Sequence, residues 1–203
     1  MATDLGRQST LGEEVAKMRS KDLIWAAIVV LAMAVVLAAC GGGGEEGGRD
    51  GANAPEQAEA PEDTTLKLTV PKMANIKDDN VPYTTGDDEE ALHDNAGIHL
   101  DGTGHPWEGE TNVYIAGHRL GYPDTESFLA FWDLDALENG DKVILTDANG
   151  KKYTYEVYEE LVVEPTDLYV TEPIEGKNVV TLQTCTLPDY ADRLIVRAEL
   201  KQS

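Results

Sequence analysis

Cysteine is scarce in this chain, whose 203 residues include two, Cys40 and Cys185. Cys40 follows a long apolar run, whereas Cys185 ends a strand-like run at 179–185. Because the two lie in such different parts of the chain, we do not expect a disulfide between them. A lone thiol in the polar part of a chain is either a buried, inert side chain or a reactive group. The second interpretation makes Cys185 a candidate nucleophile.

Basic residues are also few, with 16 lysines and arginines against 38 aspartates and glutamates and a net charge of −22. Residues 41–63 carry seven acidic side chains against Arg49, a net charge of −6, which leaves −16 for residues 64–203. A domain of that charge repels nucleic acid and anionic lipid head groups. The composition therefore excludes nucleic-acid binding and indicates a well-solvated surface.

Long hydrophobic runs are absent except for one, residues 23–39. The run follows Lys17 and Lys21, and its 17 residues reach the lower limit for a membrane-spanning helix. Basic residues before such a helix stay in the cytoplasm. We therefore expect a cytoplasmic segment at 1–22 and a transmembrane signal anchor at 23–40. The later residues would lie on the extracellular face of the cell membrane.

The sequence around Cys40 is compatible with a second kind of anchor. Residues 37–41 place small residues before the cysteine and a glycine after it, which resembles a bacterial lipoprotein processing site. A lipid on Cys40 would then hold the cleaved chain at the membrane, and both anchors leave the domain outside the cell. Residues 41–63 are rich in Gly, Ala, Glu and Pro, a composition that predicts a disordered acidic linker.

Short alternating runs separated by turn residues fill residues 64–203. Asn149-Gly150 is a strong hairpin signal, and apolar residues alternate with polar ones after it. Residues 124–137 have a spacing that suits one amphipathic helix or two turns. Strands are predicted at 66–70, 112–117, 142–146, 153–158, 161–164, 178–184 and 193–200. About seven or eight strands with short helices indicate an all-β domain, either a closed barrel or a sandwich.

Three polar side chains, Cys185, His118 and Arg193, stand at the ends of predicted strands. A nearby cation favours the thiolate, and an imidazole can supply that cation or protonate a leaving amine. Arginine keeps its proton, so Arg193 is suited to bind an oxyanion or a substrate carbonyl. Arg197 lies on the same strand face as Arg193, and periodicity does not choose between them. The trio predicts acyl transfer on a cysteine.

Other polar residues offer competing sites. His93, His99 and His105 are alternatives to His118, but their spacing of six residues differs from the short spacing of a zinc-binding pair. The acidic run 87–90 lacks the alternation of an EF-hand calcium loop and is better explained as a solvated loop or a helix start. We therefore expect no metal site and no cofactor.

The segments around the three polar residues resemble the sortase family. Residues 181–185, Thr-Leu-Gln-Thr-Cys, are similar to the family signature Thr-Leu-any-Thr-Cys, and residues 112–119 resemble its histidine segment. Three further segments resemble the family's first strand, its glycine-rich approach to the histidine and its arginine strand: 68–73, 102–110 and 193–196. The likeness runs through most of residues 64–203, which we interpret as the catalytic domain.

This resemblance implies a membrane-anchored cysteine transpeptidase with a closed, eight-stranded sortase-type β-barrel. His118 would then be the general acid and base, Cys185 the nucleophile, and Arg193 the group that stabilises the oxyanion or the substrate. Thr184, which precedes the thiol, and Arg119, which follows the histidine, would contact the substrate.

The resemblance also implies the substrates. Sortases cut a C-terminal sorting signal of the Leu-Pro-any-Thr-Gly type after threonine and join the acyl group to an amine on a cell-wall precursor or a pilin. The short connection from Cys185 to Arg193 is most similar to the class E branch, which is associated with a Leu-Ala-any-Thr-Gly signal. We therefore expect either signal, carried by secreted proteins.

Two other functions fit parts of the sequence. A cysteine hydrolase would release its acyl group to water, although the order His, Cys, Arg differs from that of papain-like chains. A membrane-tethered binding module with an inert thiol would explain the acidic linker and Cys40. Ligation of an added amine separates a transpeptidase from a hydrolase, and the reactivity of Cys185 with an alkylating agent tests the binding module.

Overall fold

The computed structural model describes residues 60–203. The expectations for the segment 1–22, the apolar segment 23–40 and Cys40 lie outside these residues, as does most of the linker 41–63. Within the described part of the chain, no helix has the length and apolar character needed to span a membrane.

Short strands dominate the described residues. They are β1 (Leu66–Thr69), β2 (Lys77–Val81), β3 (Tyr83–Thr84), β4 (Ile98–Leu100), β5 (Thr111–Ala116), β6 (Lys142–Thr146), β7 (Lys152–Val163), β8 (Asn178–Cys185) and β9 (Arg193–Gln202). The helix α1 spans Glu89–Asp94, and two 3-10 helices span Leu134–Ala136 and Leu168–Thr171. Asp88 caps α1 by accepting a hydrogen bond from the Ala91 amide, so the acidic run 87–90 is a helix start.

All of these strands belong to one sheet, in the order β2-β1-β6-β7-β9-β8-β5-β4-β3. Neighbours pair antiparallel except β5 with β8 and β3 with β4, which are parallel. The first and last strands of the order, β2 and β3, are separated in the chain by Pro82 alone. Proline has no N–H to donate and is suited to a strand edge. The sheet is therefore a nearly closed barrel.

The predicted all-β class is confirmed, and the number of strands differs slightly from the expected eight. The described residues contain nine strands, of which β2, β3 and β4 are missing from the prediction. The sequence of β2, Lys-Asp-Asp-Asn-Val, is almost wholly polar, and β3 has two residues. Neither has the apolar alternation from which strands are predicted.

The barrel interior is filled by alternate residues of its strands. In β7, Tyr153, Tyr155 and Val157 are buried, while the residues between them are partly exposed. β8 differs because both of its faces are largely buried. Leu182 belongs to the barrel core, whereas the Thr181 hydroxyl on the other face donates a hydrogen bond of 2.7 Å to Asn112. This second face of β8 is the one that Cys185 shares.

The turns follow the sequence signals. Asn149-Gly150 forms the predicted hairpin between β6 and β7, with Gly150 at a φ of 83°. The Asp147 carboxylate accepts hydrogen bonds of 2.9 Å from the amides of both Asn149 and Lys151, which holds the loop closed.

The segment 124–137 forms turns followed by a 3-10 helix rather than one amphipathic helix. Its apolar residues Phe131, Leu134 and Leu137 are nevertheless buried in the barrel core. The spacing of apolar residues in this segment therefore indicated which side chains are buried, but it did not distinguish one helix from two turns.

Candidate active site

A groove of about 370 Å³ lies on the outer face of the sheet, where β5, β8 and β9 meet. Its lining is largely apolar and includes Ile98, Leu100, Ala116, Val163, Leu168 and Val170. Below it lies a small apolar cluster, separate from the barrel core, that contains Tyr114, Val163, Val170 and Ile195. Cys185, His118 and Arg193 all lie on the lining of this groove.

Cys185 is the last residue of β8 and a free, half-buried thiol. Thr184 before it is buried and Leu182 belongs to the barrel core, so the alternation of the strand turns Cys185 toward the groove. The strand thus fixes the backbone of this thiol at the groove lining.

His118 follows β5, which runs parallel to β8. The last register pair between these strands is Ala116 with Gln183, and the Gly117 amide donates to the Gln183 carbonyl at 3.0 Å. His118 and Cys185 each lie two residues beyond that pair. The parallel register therefore brings the imidazole and the thiol to the same end of adjacent strands.

Two contacts hold the backbone next to His118. The Thr184 hydroxyl donates a hydrogen bond of 2.9 Å to the Gly117 carbonyl and joins the two strand ends. A Cβ at Gly117 would collide with the ring of Phe131, so this close approach needs glycine. Thr184, to which the resemblance assigned a substrate contact, is 1% exposed and belongs to the groove lining.

The electrostatic environment of His118 favours a neutral imidazole. Partial burial lowers its pKa below the usual value of 6.5, with the carboxylate of Glu89 opposing this shift and His93 adding to it. Nε2 of His118 is buried and makes no hydrogen bond within residues 60–203. The ring is thus available to take up a proton from a neighbouring group.

The register distinguishes the two arginines of β9. Arg193 pairs directly with Cys185 across the β8–β9 ladder, whereas Arg197 pairs with Thr181. Nη1 of Arg193 donates to the carbonyls of Tyr190 and Asp192 at 3.4 and 3.2 Å, and no carboxylate in the described part of the chain forms an ion pair with it. Arg193 therefore carries an uncompensated positive charge into the groove.

Arg197 has a different environment from Arg193. It is 9% exposed, and its guanidinium pairs with the Glu159 carboxylate on β7 at 3.0 Å. Its charge is already neutralised by a protein group, and it is absent from the groove lining. Of these two arginines, Arg193 is the one on the groove lining.

Arg119, which the resemblance assigned to substrate contact, does not lie on the groove lining. It is 5% exposed, pairs with Asp135 at 2.6 Å and lies 5.7 Å from the centre of the Trp132 ring. The chain has left β5 and bends at Arg119, whose side chain turns to Asp135 rather than to the groove that His118 lines. In this structure it anchors the segment that follows the histidine.

The other three histidines lie outside the groove lining. His93 on α1 packs against the ring of Tyr122, whose other neighbour is His118 at 5.5 Å between ring centroids. His99 and His105 belong to a separate cluster of rings. Within residues 60–203, no three His, Cys, Asp or Glu side chains are grouped so as to hold a metal ion.

The sequence did not single out Tyr114 and Gln183, which also line the groove. The Tyr114 hydroxyl donates a hydrogen bond of 2.6 Å to Gln183. Strand alternation could have placed both residues on the groove side. Gln183 shares a strand face with Cys185, and Tyr114 lies four residues before His118. Their pairing depends on the β5–β8 register, which the sequence does not give.

The arrangement is suited to acyl transfer. A thiol, a neutral imidazole and an unpaired guanidinium line one groove, which supplies a nucleophile, a proton carrier and a group for an oxyanion. The apolar floor is suited to the side chains of an extended peptide.

Residues 68–201 match the sortase domain family. Sortase A of Streptococcus agalactiae serotype III (strain NEM316) is 37% identical over 95 residues, which are 47% of this chain and 38% of that protein. The chain thus matches well under half the length of that relative.

Solved structures are similar over a larger share. Sortase C1 of Streptococcus agalactiae superposes with a TM-score of 0.58 at 30% identity, covering 69% of this chain and 67% of that one. A lid mutant of sortase A from Corynebacterium diphtheriae superposes with a TM-score of 0.57 at 28% identity, covering 73% and 75%. The chain belongs to the sortase family.

Proposed function

We propose that this protein cleaves a C-terminal sorting signal after threonine, through a thioacyl intermediate on Cys185, and transfers the acyl group to an amine. The observation that carries this proposal is the convergence of Cys185, His118 and Arg193 on one apolar groove. Residues from three separate strands reach it only because the barrel brings the ends of β5, β8 and β9 together.

The first half of the reaction forms the thioester. His118 takes the proton of the Cys185 thiol, and the sulfur attacks the carbonyl carbon of threonine. Arg193 stabilises the negative charge that develops on the carbonyl oxygen. The carbon–nitrogen bond then breaks, and the protonated imidazole gives its proton to the leaving amine.

The second half reverses these roles. An acceptor amine attacks the thioester carbonyl, and the bond from the carbonyl carbon to sulfur breaks. His118 takes a proton from the amine and returns it to the departing sulfur of Cys185. The products are a new amide and the regenerated enzyme. Water in place of the amine would give a hydrolase.

The proposed substrates are secreted proteins with a signal of the Leu-Pro-any-Thr-Gly or Leu-Ala-any-Thr-Gly type. The apolar lining of the groove supports this choice, because leucine and proline or alanine bring apolar side chains to it. The acceptor would be an amine of a cell-wall precursor or of a pilin. The apolar run at 23–39 supports a membrane anchor that holds the catalytic domain outside the cell.

A peptide assay with and without an added amine tests the proposal. The full chain is incubated with a fluorescent signal peptide, and the products are identified by mass spectrometry. We expect cleavage after threonine and, with a glycine-based amine, a ligated product. Cys185→Ala should abolish both, and full activity of this variant would refute the proposal. Cleavage by the wild type with no ligated product would favour the hydrolase.

A further inference from the structure

The groove contains one polar pair that the catalytic trio leaves unused. Tyr114 on β5 and Gln183 on β8 both line it, and the Tyr114 hydroxyl donates a hydrogen bond of 2.6 Å to Oε1 of Gln183. Tyr114 is 2% exposed and lies in the apolar cluster below the groove. A hydroxyl buried in such surroundings needs a partner, and Gln183 provides it.

This hydrogen bond determines which end of the Gln183 side chain remains available. Burial raises the pKa of Tyr114, so the phenol keeps its proton and acts as the donor. The carboxamide oxygen is the acceptor, and the amide nitrogen keeps both of its N–H donors. Gln183 is partly exposed, and within residues 60–203 its nitrogen makes no hydrogen bond. The Gln183 amide nitrogen therefore offers N–H groups to the groove, and these can donate a hydrogen bond to an acceptor atom of a ligand.

The position of Gln183 relative to Cys185 fits an extended peptide. The two residues lie on the same face of β8, two positions apart, and a strand rises about 3.3 Å per residue. Their side chains therefore leave the strand roughly 7 Å apart, a distance that two residues of an extended substrate also span. A peptide acylated on Cys185 and lying along β8 brings a backbone carbonyl to Gln183.

We propose that Gln183 donates a hydrogen bond to a backbone carbonyl on the acyl side of the sorting signal and that Tyr114 positions it. This inference rests on the proposed sortase function and adds a substrate-binding residue to it. The acyl side is favoured because the groove that Gln183 lines also has Ile98, Val163 and Val170 in its lining. The apolar residues of the expected signal lie on that side of the scissile bond.

Steady-state cleavage by six full-length proteins tests the inference: wild type, Gln183→Leu, Gln183→Glu, Tyr114→Phe, the double variant Tyr114→Phe with Gln183→Leu, and the control Gln202→Leu. Gln183→Glu keeps the size and the acceptor for Tyr114 and loses the donor. We expect both Gln183 variants to raise KM about five- to tenfold with kcat within about twofold. Tyr114→Phe should raise KM about two- to fourfold, and the double variant with Gln183→Leu should be no worse than Gln183→Leu alone. Gln202 is exposed at the end of β9, and its variant should behave as the wild type.

A second measurement identifies the substrate atom. Signal peptides are made in which one acyl-side carbonyl at a time is replaced by a methylene group. We expect one replacement to raise the wild-type KM about five- to tenfold and to have no effect with Gln183→Glu. If Gln183→Glu is unstable, the same comparison is made with Gln183→Leu.

The outcomes separate the inference from the function on which it rests. Absence of any cleavage by the wild type would overturn the proposed function. Cleavage that depends on Cys185, with unchanged KM in Gln183→Leu and Gln183→Glu or with no coupled carbonyl, would overturn the inference alone.

Discussion

Two histidines on neighbouring strands lie in contrasting environments. His118 follows β5, is half-buried and faces the groove that contains Cys185. His99 on β4 is 0% exposed, and its Nε2 lies 2.9 Å from the Gly104 carbonyl. The rings of Tyr83 and His105 pack around it at 4.7 and 5.0 Å between centroids, and His105 stacks on Trp107. We call Tyr83, His99, His105 and Trp107 the histidine–aromatic cluster.

The comparison shows what makes a histidine suitable for proton transfer. Burial lowers the pKa of both rings and takes that of His99 to about 4. A partly exposed ring on the groove lining can take up and release a proton during turnover. A sealed ring that stays neutral contributes packing instead. Its neighbours on β4, Ile98 and Leu100, line the groove, so His99 supports one groove wall from behind.

The largest expected effect is a difference in activity between a variant in the groove and a variant in the histidine–aromatic cluster. His118→Ala should lower kcat/KM about 1,000-fold or more, because it removes the proton carrier. His105→Ala should keep kcat/KM within about threefold and lower the thermal midpoint, because it removes a ring stacked on Trp107. Peptide cleavage and thermal unfolding monitored by circular dichroism check both. Equal loss of activity in the two variants would contradict the distinction.

The second prediction concerns stability and acid. Since the folded-state pKa of His99 is about 4 and that of the unfolded chain is near 6.5, the unfolded chain binds the proton first as the pH falls. The stability that His99 contributes is therefore full above pH 6.5 and decreases down to about pH 4, by about 3 kcal/mol in total. Denaturant unfolding at several pH values should show this decrease.

A matched variant isolates the contribution of His99 from that of the many carboxylates. His99→Gln should be less stable than the wild type at pH 7, and the difference between the two should shrink as the pH falls toward 4. A constant difference across this range would show that His99 does not couple folding to protonation.

The third prediction compares the two arginines of β9. Arg193→Gln should lower kcat/KM about 100-fold, since it removes the uncompensated charge beside the thiol. Arg197→Gln should leave kcat/KM within about twofold and reduce the free energy of unfolding by about 1 kcal/mol through loss of the Glu159 pair. Kinetics and denaturant unfolding of both variants measure these effects, and a reversed pattern would assign the oxyanion role to Arg197.

The smallest expected effect is a shift in the pH profile. Because burial lowers the pKa of His118, the acid limb of kcat/KM should lie below pH 6.5. The Glu89 charge raises this pKa, so Glu89→Gln should move the acid limb to still lower pH. A profile of kcat/KM from pH 4 to 8 tests this, and a limb above pH 6.5 in the wild type would contradict the assignment.

Much of the fold could be predicted because the long strands carry strict alternation. β6, β7 and the Asn149-Gly150 turn follow directly from it. β2 and β3 could not be predicted, since a polar strand at the edge of a sheet takes its conformation from its neighbour rather than from its own pattern.

In the candidate site, too, some residues could be predicted from the sequence and others depend on contacts between strands. The ends of the strands identify Cys185 and His118, whose chemistry is visible in the residue type. Arg193 and Arg197 are equivalent by periodicity, and the ladder register separates them. Arg119 follows His118 in the sequence, yet the chain bends there and Arg119 pairs with Asp135 instead of lining the groove. Contacts between side chains on different strands could not be predicted from the sequence.

The most direct test of the account is the detection of an acyl group on Cys185. The full chain is mixed briefly with a signal peptide without an added amine, quenched in acid and mapped by tandem mass spectrometry. We predict a thioester between the peptide's threonine and Cys185 that is lost when an amine is added and is absent from Cys185→Ala. A cleaved peptide with no acyl group on Cys185 under these conditions, or cleavage that persists in Cys185→Ala, would contradict the account.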